Sequence, residues 1–258
     1  MNSIFLYVEK NGEITITGLK EGVSDTSIVI PETIDGMPVV EIGPKAFEFS
    51  TITDIKIGKN IRKIEKEAFA HCRKLSSVIW NCKCNAIPDN CFYRCTELKK
   101  FDFTAIKRVG QYAFGESGLQ EVYIPQNIEM IGIGAFNICS KLHSVTWRCQ
   151  CDVIPNACFE RCSNLKQFDL SNVKKIEAYA FGRSGLTSVT LSKKTAVDQN
   201  CFACCNDLEK IEWLSDRNIE KTIFAECKNI KEIFISDSVM DIAVDAFVSS
   251  PNAEITFV

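Results

Sequence analysis

Apolar and polar residues alternate over short stretches that recur along the whole chain. Between residues 77 and 80, Val78 and Trp80 alternate with Ser77 and Ile79, and Leu75 precedes them. A period of two residues is typical of a half-buried strand. We therefore predict a strand in which Leu75, Val78 and Trp80 face the interior while the other two side chains face outward.

A phenylalanine, usually preceded by Ala or Cys, stands before these stretches and returns at a step of about 22 residues, within the period range of leucine-rich repeats. Gly or Pro lies a few positions earlier in several copies, so we predict a single helical or 3-10 turn that directs the ring inward. We call one strand with its turn a rung; stacked rungs bury a shared core. The pattern predicts an α/β repeat solenoid of about ten rungs, anchored by Phe47, Phe69, Phe92, Phe114, Phe136, Phe159, Phe181, Phe202, Phe224 and Phe247.

A slower repeat lies over the fast one. Residues 68–124 match residues 135–191 at roughly half of their positions, with an offset of about 67 residues. Trp80 aligns with Trp147, and the run Ser-Gly-Leu recurs at 117–119 and 184–186. Three rungs were therefore duplicated as a block, and a more divergent third copy follows from about residue 202.

The chain is predicted to form a single domain over residues 1–258, because no linker or low-complexity tract interrupts the repeat. Residues 41–258 hold the repeats, and residues 1–40 form an N-terminal cap and lead-in. Within the cap, residues 4–8 and 13–17 flank an Asn-Gly pair and predict a β-hairpin.

Charge argues against several classes of partner. The net charge is −3, and the Lys and Arg pairs are scattered across distant rungs, so no basic stripe for nucleic acid is predicted.

No apolar run approaches the roughly 20 residues of a membrane span. The first nine residues lack the basic start and long apolar run of a signal peptide. The chain is expected at the cell surface or secreted if a leader has been removed, and in the cytoplasm if Met1 is the native start.

Fourteen cysteines raise the alternatives of disulfides, a metal site or a catalytic thiol. Aligned by rung, eleven of them share positions with Ser, Ala, Val or Ile and are predicted to pack as small core residues. Cys82, Cys149 and Cys204 remain at variable positions, and Cys82 lies too far from Cys149 for a bridge. The spacing Cys82-x-Cys84 also departs from that of structural zinc sites. We expect reduced thiols, which fit a reducing cytoplasm or an anaerobic setting.

The chain offers few residues for catalysis. His71 and His143 are its two histidines, and neither is placed with a nucleophile and an orienting group. Asp102 and Asp169 are predicted on outward strand positions three rungs apart, too far for a pair of catalytic carboxylates. We predict no enzyme activity and no cofactor.

Two segments carry a family resemblance. The strings Val109-Gly-Gln-Tyr-Ala-Phe114 and Leu119-Gln-Glu-Val122-Tyr-Ile124-Pro125 resemble the repeats of BspA-like leucine-rich repeat proteins, and the likeness extends over about residues 28–258. That family is found in bacterial surface proteins and in some parasitic protists. The resemblance implies a leucine-rich repeat solenoid and a role similar to that of adhesins that bind host or cell-surface proteins. The two Cys-x-Cys pairs and the lack of a visible leader depart from it.

These observations predict a non-enzymatic protein-binding solenoid, with adhesion as the favoured role and an intracellular scaffold or assembly module as the alternative. The partner is expected to be a protein, and the chain a monomer or an end-to-end dimer. Tyr123 is an outward aromatic residue near Arg148, and both types are over-represented at interface hot spots. We predict a binding site on the concave strand face formed by Asp102, Tyr123, Arg148 and Asp169.

Overall fold

A computed structural model describes residues 3–258 of the chain. These residues form a β-solenoid of about eleven coils. The strands are β1 (Phe5–Lys10), β2 (Glu13–Leu19), β3 (Ser27–Val29), β4 (Thr33–Ile34), β5 (Met37–Ile42), β6 (Asp54–Ile57), β7 (Lys63–Ile64), β8 (Ser77–Trp80), β9 (Ala86–Ile87), β10 (Arg108–Val109), β11 (Glu121–Ile124), β12 (Met130–Ile131), β13 (Ser144–Trp147), β14 (Val153–Ile154), β15 (Lys175–Ile176), β16 (Ser188–Leu191), β17 (Ala196–Val197), β18 (Lys210–Trp213), β19 (Glu232–Ile235) and β20 (Glu254–Phe257).

The predicted N-terminal hairpin is confirmed. Strands β1 and β2 pair antiparallel, and Asn11 and Gly12 at the turn both have positive φ, 55° and 72°. An Asn-Gly pair favours this turn because both residues tolerate the left-handed region. Strand β2 then pairs in parallel with β5, so the hairpin covers the first coil. The domain boundaries drawn from the sequence stay a prediction, and residues 1 and 2 lie outside the described part.

Successive rungs stack in parallel and in register. The longer strands form one row, which we call the strand face, in sheets ordered β3-β6-β8, β11-β13 and β16-β18-β19-β20. The two-residue strands form a second row along another side of the coil, in orders that include β9-β10-β12 and β14-β15-β17. Trp147 of β13 lies opposite Ile124 of β11, so core positions align from rung to rung. The predicted strands are therefore confirmed except in the two rungs around residues 101–103 and 168–170, where no strand forms.

A column of phenylalanine rings runs through the core. Phe69 and Phe92 are fully buried, and their rings stack with centroids 5.5 Å apart and planes 8° apart. Phe136 and Phe159 repeat this arrangement at 5.5 Å and 7°. Buried aromatic pairs contribute about 0.5–1.5 kcal/mol beyond the area they bury. The anchor position read from the sequence is thus the axis of the hydrophobic core.

The predicted helical turn is wrong. Residues 3–258 contain no helix, and the segments around the anchor rings are turns. The residues two before and two after each ring have positive φ in nearly every rung, as in Glu67 (60°) and His71 (61°) around Phe69. A left-handed residue cannot continue a right-handed helix. The backbone N–H of Phe69 instead donates to the carbonyl of Cys91 in the next rung, at 3.0 Å, so the turns stack as a further ladder.

The cysteine ladder predicted from the sequence is present. The Cys72 thiol donates to the carbonyl of Phe47 in the preceding rung at 2.9 Å, and the Cys95 thiol donates to the Phe69 carbonyl at 3.2 Å. Desolvation by burial raises the pKa of Cys72 to about 12. All fourteen cysteines are free thiols. Ten are buried, and four are half-buried: Cys82, Cys149, Cys151 and Cys204. Cys151, predicted as core, is thus partly exposed.

Candidate binding face

Tyr123 and Arg148 lie close together on the strand face. Tyr123 is in the middle of β11, opposite Thr146 of β13, and its side chain is 56% exposed. Arg148 follows β13 directly and is also exposed. Side chains two residues apart lie on the same face of a strand, so Arg148 shares the face of Thr146. Thr146 lies opposite Tyr123, and the side chains of Tyr123 and Arg148 therefore point from the same face.

The structure corrects the placement of the two predicted aspartates. Asp102 and Asp169 do not lie on strands, because the strand face is interrupted at both rungs. Each carboxylate instead accepts a hydrogen bond from the backbone N–H two residues later, Asp102 from Thr104 at 2.9 Å and Asp169 from Ser171 at 3.0 Å. Such local bonds compete with the hydrogen-bond ladder of a sheet.

Ring size explains the interruptions. Phe101 stands where other rungs have a smaller residue such as Val78, and it packs into a cluster with Trp80 (5.7 Å), Phe92 (5.5 Å) and Phe114 (5.2 Å between centroids). A benzyl group needs more room than an isopropyl group in a close-packed interior. We infer that the backbone moves outward to accommodate it and leaves the strand row.

The second interruption repeats the first. Phe168 packs between Trp147 (5.9 Å) and Phe159 (5.3 Å), at the equivalent place in the duplicated block. The strand face is thereby divided into three sections, ending at β8, at β13 and at β20. The bulky phenylalanine and the interruption beside it were therefore duplicated together with the block of three rungs.

A cleft opens on the strand face beside each interruption. The first has a volume of about 450 Å³ and is lined by Ser76, Glu97, Lys99, Lys100, Gln120 and Glu121. The second has a volume of about 490 Å³ and a more apolar lining that includes Phe168, Asp169, Thr190 and Leu214. Leu214 is 40% exposed. The face therefore offers concave sites rather than a flat sheet.

Electrostatics connect two of the predicted residues. Hydrogen bonds from Ser171 lower the pKa of Asp169, and the nearby positive charge of Arg148 lowers it further. Asp169 is therefore ionised at neutral pH and lies within the field of Arg148. Asp102 belongs to the other interruption, in the rung before Tyr123, and Asp169 lies in the rung after Arg148, so the two aspartates flank the Tyr123 and Arg148 rungs on opposite sides.

Two apolar residues on this face were not predicted as contacts. Ile79 of β8 is 45% exposed and borders the first interruption, and Leu214 lines the second cleft. The sequence did carry a signal for the clefts, since Phe-Asp followed by an apolar residue recurs at 101–103 and 168–170. The run marks the two rungs in which apolar and polar residues still alternate but no strand forms.

The turn side of the solenoid is occupied by contacts between its own residues. Phe49 stacks on His71 at 4.4 Å, and His71 meets Tyr93 edge-on at 5.5 Å. Burial opposes ionisation of Glu116, but hydrogen bonds from Arg94 and Tyr93 outweigh it and lower the pKa of Glu116. These charges are matched locally, which leaves them less free to bind a partner.

Between residues 3 and 258, no three His, Cys, Asp or Glu side chains come together in a way that could hold a metal ion. In the same range, no helix combines the length and apolarity needed to cross a bilayer.

The repeat geometry places the chain in a known family. The profile of the BspA type leucine rich repeat region matches it in six copies, over residues 21–143, 104–209 and 152–257. The chain therefore belongs to the BspA type leucine-rich repeat family. No curated protein matches it at a significant level.

Solved structures share the fold. A leucine-rich repeat protein from Bacteroides ovatus superposes with a TM-score of 0.69 at 23% identity, covering 98% of this chain and 80% of its own. The leucine-rich repeat protein of T. pallidum has a TM-score of 0.62 at 25% identity and covers 80% of this chain and 88% of its own. One from Eubacterium ventriosum gives 0.52 at 12% identity, covering 100% and 83%.

Proposed function

We propose that this chain is a non-enzymatic protein-binding solenoid whose strand face docks a protein partner, with adhesion to host or cell-surface proteins as its role. The observation that carries the proposal is the exposed Tyr123 beside Arg148, between two clefts. Tyr and Arg are enriched among interface hot spots. Tyr offers a large rigid ring with two side-chain torsions, and Arg offers a planar guanidinium with five N–H donors. The family membership supports the same class of function.

The two clefts suit a partner that spans several rungs. They belong to interruptions three rungs apart, which corresponds to about 14 Å at a strand spacing of roughly 4.8 Å. A stable interface covers about 800 Å² on each partner. A partner seated over Tyr123 would reach both clefts and place apolar groups against Ile79 and Leu214, which supply exposed apolar surface on either side.

An intracellular scaffold or assembly module is the second candidate. The fourteen free thiols favour it, because reduced cysteines persist in a reducing compartment. Treating intact cells with an added protease separates the two roles. Loss of the protein from intact cells supports a surface role, and protection until lysis supports the scaffold.

Replacing Tyr123 or Arg148 by Ala should each weaken partner binding by more than about 1 kcal/mol while leaving stability unchanged. Both side chains are exposed, so their removal leaves no cavity. The measurement is calorimetric titration with purified extracellular-matrix proteins such as fibronectin and laminin, and with any partner found by co-purification.

Matched controls lie on the turn side. Phe49 is an exposed aromatic residue, 66% accessible, and Arg73 is an exposed arginine. Their replacement by Ala should leave affinity unchanged. If the Tyr123 and Arg148 variants bind as the wild type does and the Phe49 and Arg73 variants bind more weakly, the binding site lies on the turn side.

Of the two predicted assembly states, we propose the monomer. The last coil exposes six apolar side chains, which would favour an end-to-end contact: Met240, Val244, Val248, Ile255, Phe257 and Val258. Every charged residue of that coil is acidic, however: Asp237, Asp241, Asp245 and Glu254. Asp245 pairs with Lys221 of the preceding coil, which leaves the other three as the repelling charges. Two copies meeting through this end would bring like charges together, which disfavours the contact.

Sedimentation velocity tests this expectation. The protein should sediment as a monomer in 50 mM salt, and association should increase in 1 M salt, where the Debye length falls to about 3 Å. A dimer in low salt that Phe257→Lys dissociates would contradict the proposal and support the end-to-end pair.

A further inference from the structure

The second cleft of the strand face lies over a strand with short outward side chains. Ser188 and Thr190 of β16 line it, together with Ser192 just beyond the strand. In the stack, β16 lies between the interrupted rung of residues 167–171 and β18. The cleft therefore spans three neighbouring rungs, with the short side chains of β16 in the middle.

The duplicated block provides a comparison inside the same molecule. Sixty-seven residues earlier, β11 carries Tyr123 in the place of Thr190. Arg148 follows β13 directly, as Leu214 follows β18. The first block thus presents a long aromatic and a long basic side chain at the places where the second block has shorter ones. A partner that covers both blocks meets a projection on the first and a recess on the second.

Apolar side chains border the recess on both sides. Phe168 is half-buried, because its ring packs inward against Phe181 at 5.0 Å between centroids, and it also lines the cleft. Leu214 on the other side is 40% exposed. Aromatic and apolar groups that enter such a concave site are removed from water and contact these two side chains. The borders therefore favour an apolar or aromatic group from the partner.

Asp169 is the charged residue of the lining. Its carboxylate accepts the backbone N–H of Ser171 at 3.0 Å, and a carboxylate has acceptor sites for about four donors. Glu212 lies nearby on β18, but its charge is matched by Lys210 at 2.8 Å, and it also accepts the Thr190 hydroxyl at 2.8 Å. Asp169 is therefore the acceptor that remains available to a ligand in the cleft.

The charges around the cleft select the kind of side chain. Among residues 3–258, Arg148 acts on Asp169 through its charge without a direct ion pair. The positive charge of Arg148 disfavours a second cation, and the negative charge of Asp169 disfavours an anion. A purely apolar side chain would exclude water from Asp169 without replacing its hydrogen bonds, which costs free energy. A neutral ring that carries a hydrogen-bond donor avoids all three costs.

We propose that the second cleft receives a tyrosine side chain of the protein partner, an inference that rests on the proposed function of the strand face. The ring lies between Phe168 and Leu214, and the phenol O–H donates to the Asp169 carboxylate. The partner then accommodates Tyr123 over the first block and inserts its own tyrosine into the second. The two places are three rungs apart, about 14 Å at a strand spacing of roughly 4.8 Å.

An amide-detected NMR titration with N-acetyl-tyrosinamide tests the cleft without a partner. Shift changes should concentrate at Ser188, Thr190 and Leu214, and the tyrosine amide should bind about tenfold more tightly than N-acetyl-phenylalaninamide, as expected for a hydrogen bond to a charged group. Asp169→Asn should remove most of that preference. Equal affinity for the two amides, tighter binding of N-acetyl-argininamide, or no shift changes at the cleft would overturn the proposal.

Filling the cleft provides a second test. Thr190→Tyr, which repeats the residue at position 123, should abolish binding of the tyrosine amide. Thr146→Tyr is the matched control, because Thr146 is in the same place on β13 and outside the cleft lining, so binding should stay unchanged. Circular dichroism verifies that both variants fold. If Thr190→Tyr does not fold, Ser188→Glu, which repeats Glu121, takes its place. Wild-type binding by the folded variant would contradict the proposed site.

The same variant separates this inference from the proposed function. With the extracellular-matrix protein or co-purified partner that binds the wild type, Thr190→Tyr should weaken binding about tenfold, the value expected for the lost hydrogen bond. If Tyr123→Ala weakens binding and Thr190→Tyr does not, the tyrosine site is wrong while the strand face stands as the interface. Wild-type binding by Tyr123→Ala, Arg148→Ala and Thr190→Tyr alike would overturn both.

Discussion

Replacing Phe136 by Ala should lower the free energy of unfolding by about 3–5 kcal/mol. The ring is fully buried and stacks between Phe114 at 5.8 Å and Phe159 at 5.5 Å, with Phe103 edge-on at 6.2 Å. Its removal loses transfer free energy and leaves a cavity that neighbours on both sides cannot fill. Urea denaturation followed by circular dichroism measures the loss.

The end of the ring column provides the matched control. Phe247 is only partly buried and stacks on Phe224 alone, at 5.8 Å, so Phe247→Ala should cost clearly less. Repeats stabilise one another through nearest-neighbour contacts, which gives central positions the larger effect. Small and equal losses at Phe136 and Phe247 would contradict the role of the column as the core.

Replacing Gly118 by Ala should cost about 2–4 kcal/mol, through overpacking and a lost hydrogen bond. A Cβ at this position would lie 2.1 Å from the backbone carbonyl oxygen of Thr96 in the preceding rung. The Gly118 N–H also donates to the Cys95 carbonyl at 3.0 Å, so the rungs cannot separate without breaking that bond. Gly185 repeats the contact at 2.0 Å from Ser163, which explains the duplicated Ser-Gly-Leu run.

Gly58 is the control for this substitution. A Cβ there would meet the Ile30 carbonyl at 3.8 Å, an ordinary contact, and its φ is not positive. We expect Gly58→Ala to change stability by no more than about 0.5 kcal/mol. Thermal and urea unfolding of both variants test the comparison, and equal effects would show that close approach of the rungs is not the cause.

Much of the fold could be predicted from the sequence because the same pattern of apolar residues recurs about ten times along the chain. Period-two alternation located the strands, and the recurring phenylalanine located the core. The turns were misread because left-handed residues such as Glu67 and Ile138 (φ 60° and 57°) are ordinary side chains. Sequence reasoning expects glycine or asparagine at such positions. Backbone hydrogen bonds between neighbouring rungs hold these residues in the left-handed conformation. Because the partners lie in another rung, the residue types within one turn do not reveal the effect.

The candidate site was predictable in part for a similar reason. Exposure of Tyr123 follows from alternation on β11, which the structure forms as a regular strand. Asp102 was placed on a strand because Phe101 and Phe103 alternate around it as in any other rung. The size of the Phe101 ring overrides that pattern by packing against Trp80 and Phe114. Ring packing across rungs is not visible in one rung's alternation, so alternation alone could not predict the loss of these two strands; the only sequence signal was the recurrence of Phe-Asp before an apolar residue.

Photo-crosslinking from the strand face tests most directly whether that face binds the partner. Benzoylphenylalanine replaces Tyr123 on the strand face in one protein and Phe49 on the turn side in another; both positions hold exposed aromatic residues, 56% and 66% accessible. Each is irradiated with the extracellular-matrix protein or co-purified partner that binds the wild type. The proposed function predicts crosslinks from position 123 and none from position 49. Crosslinks from position 49 alone would contradict it.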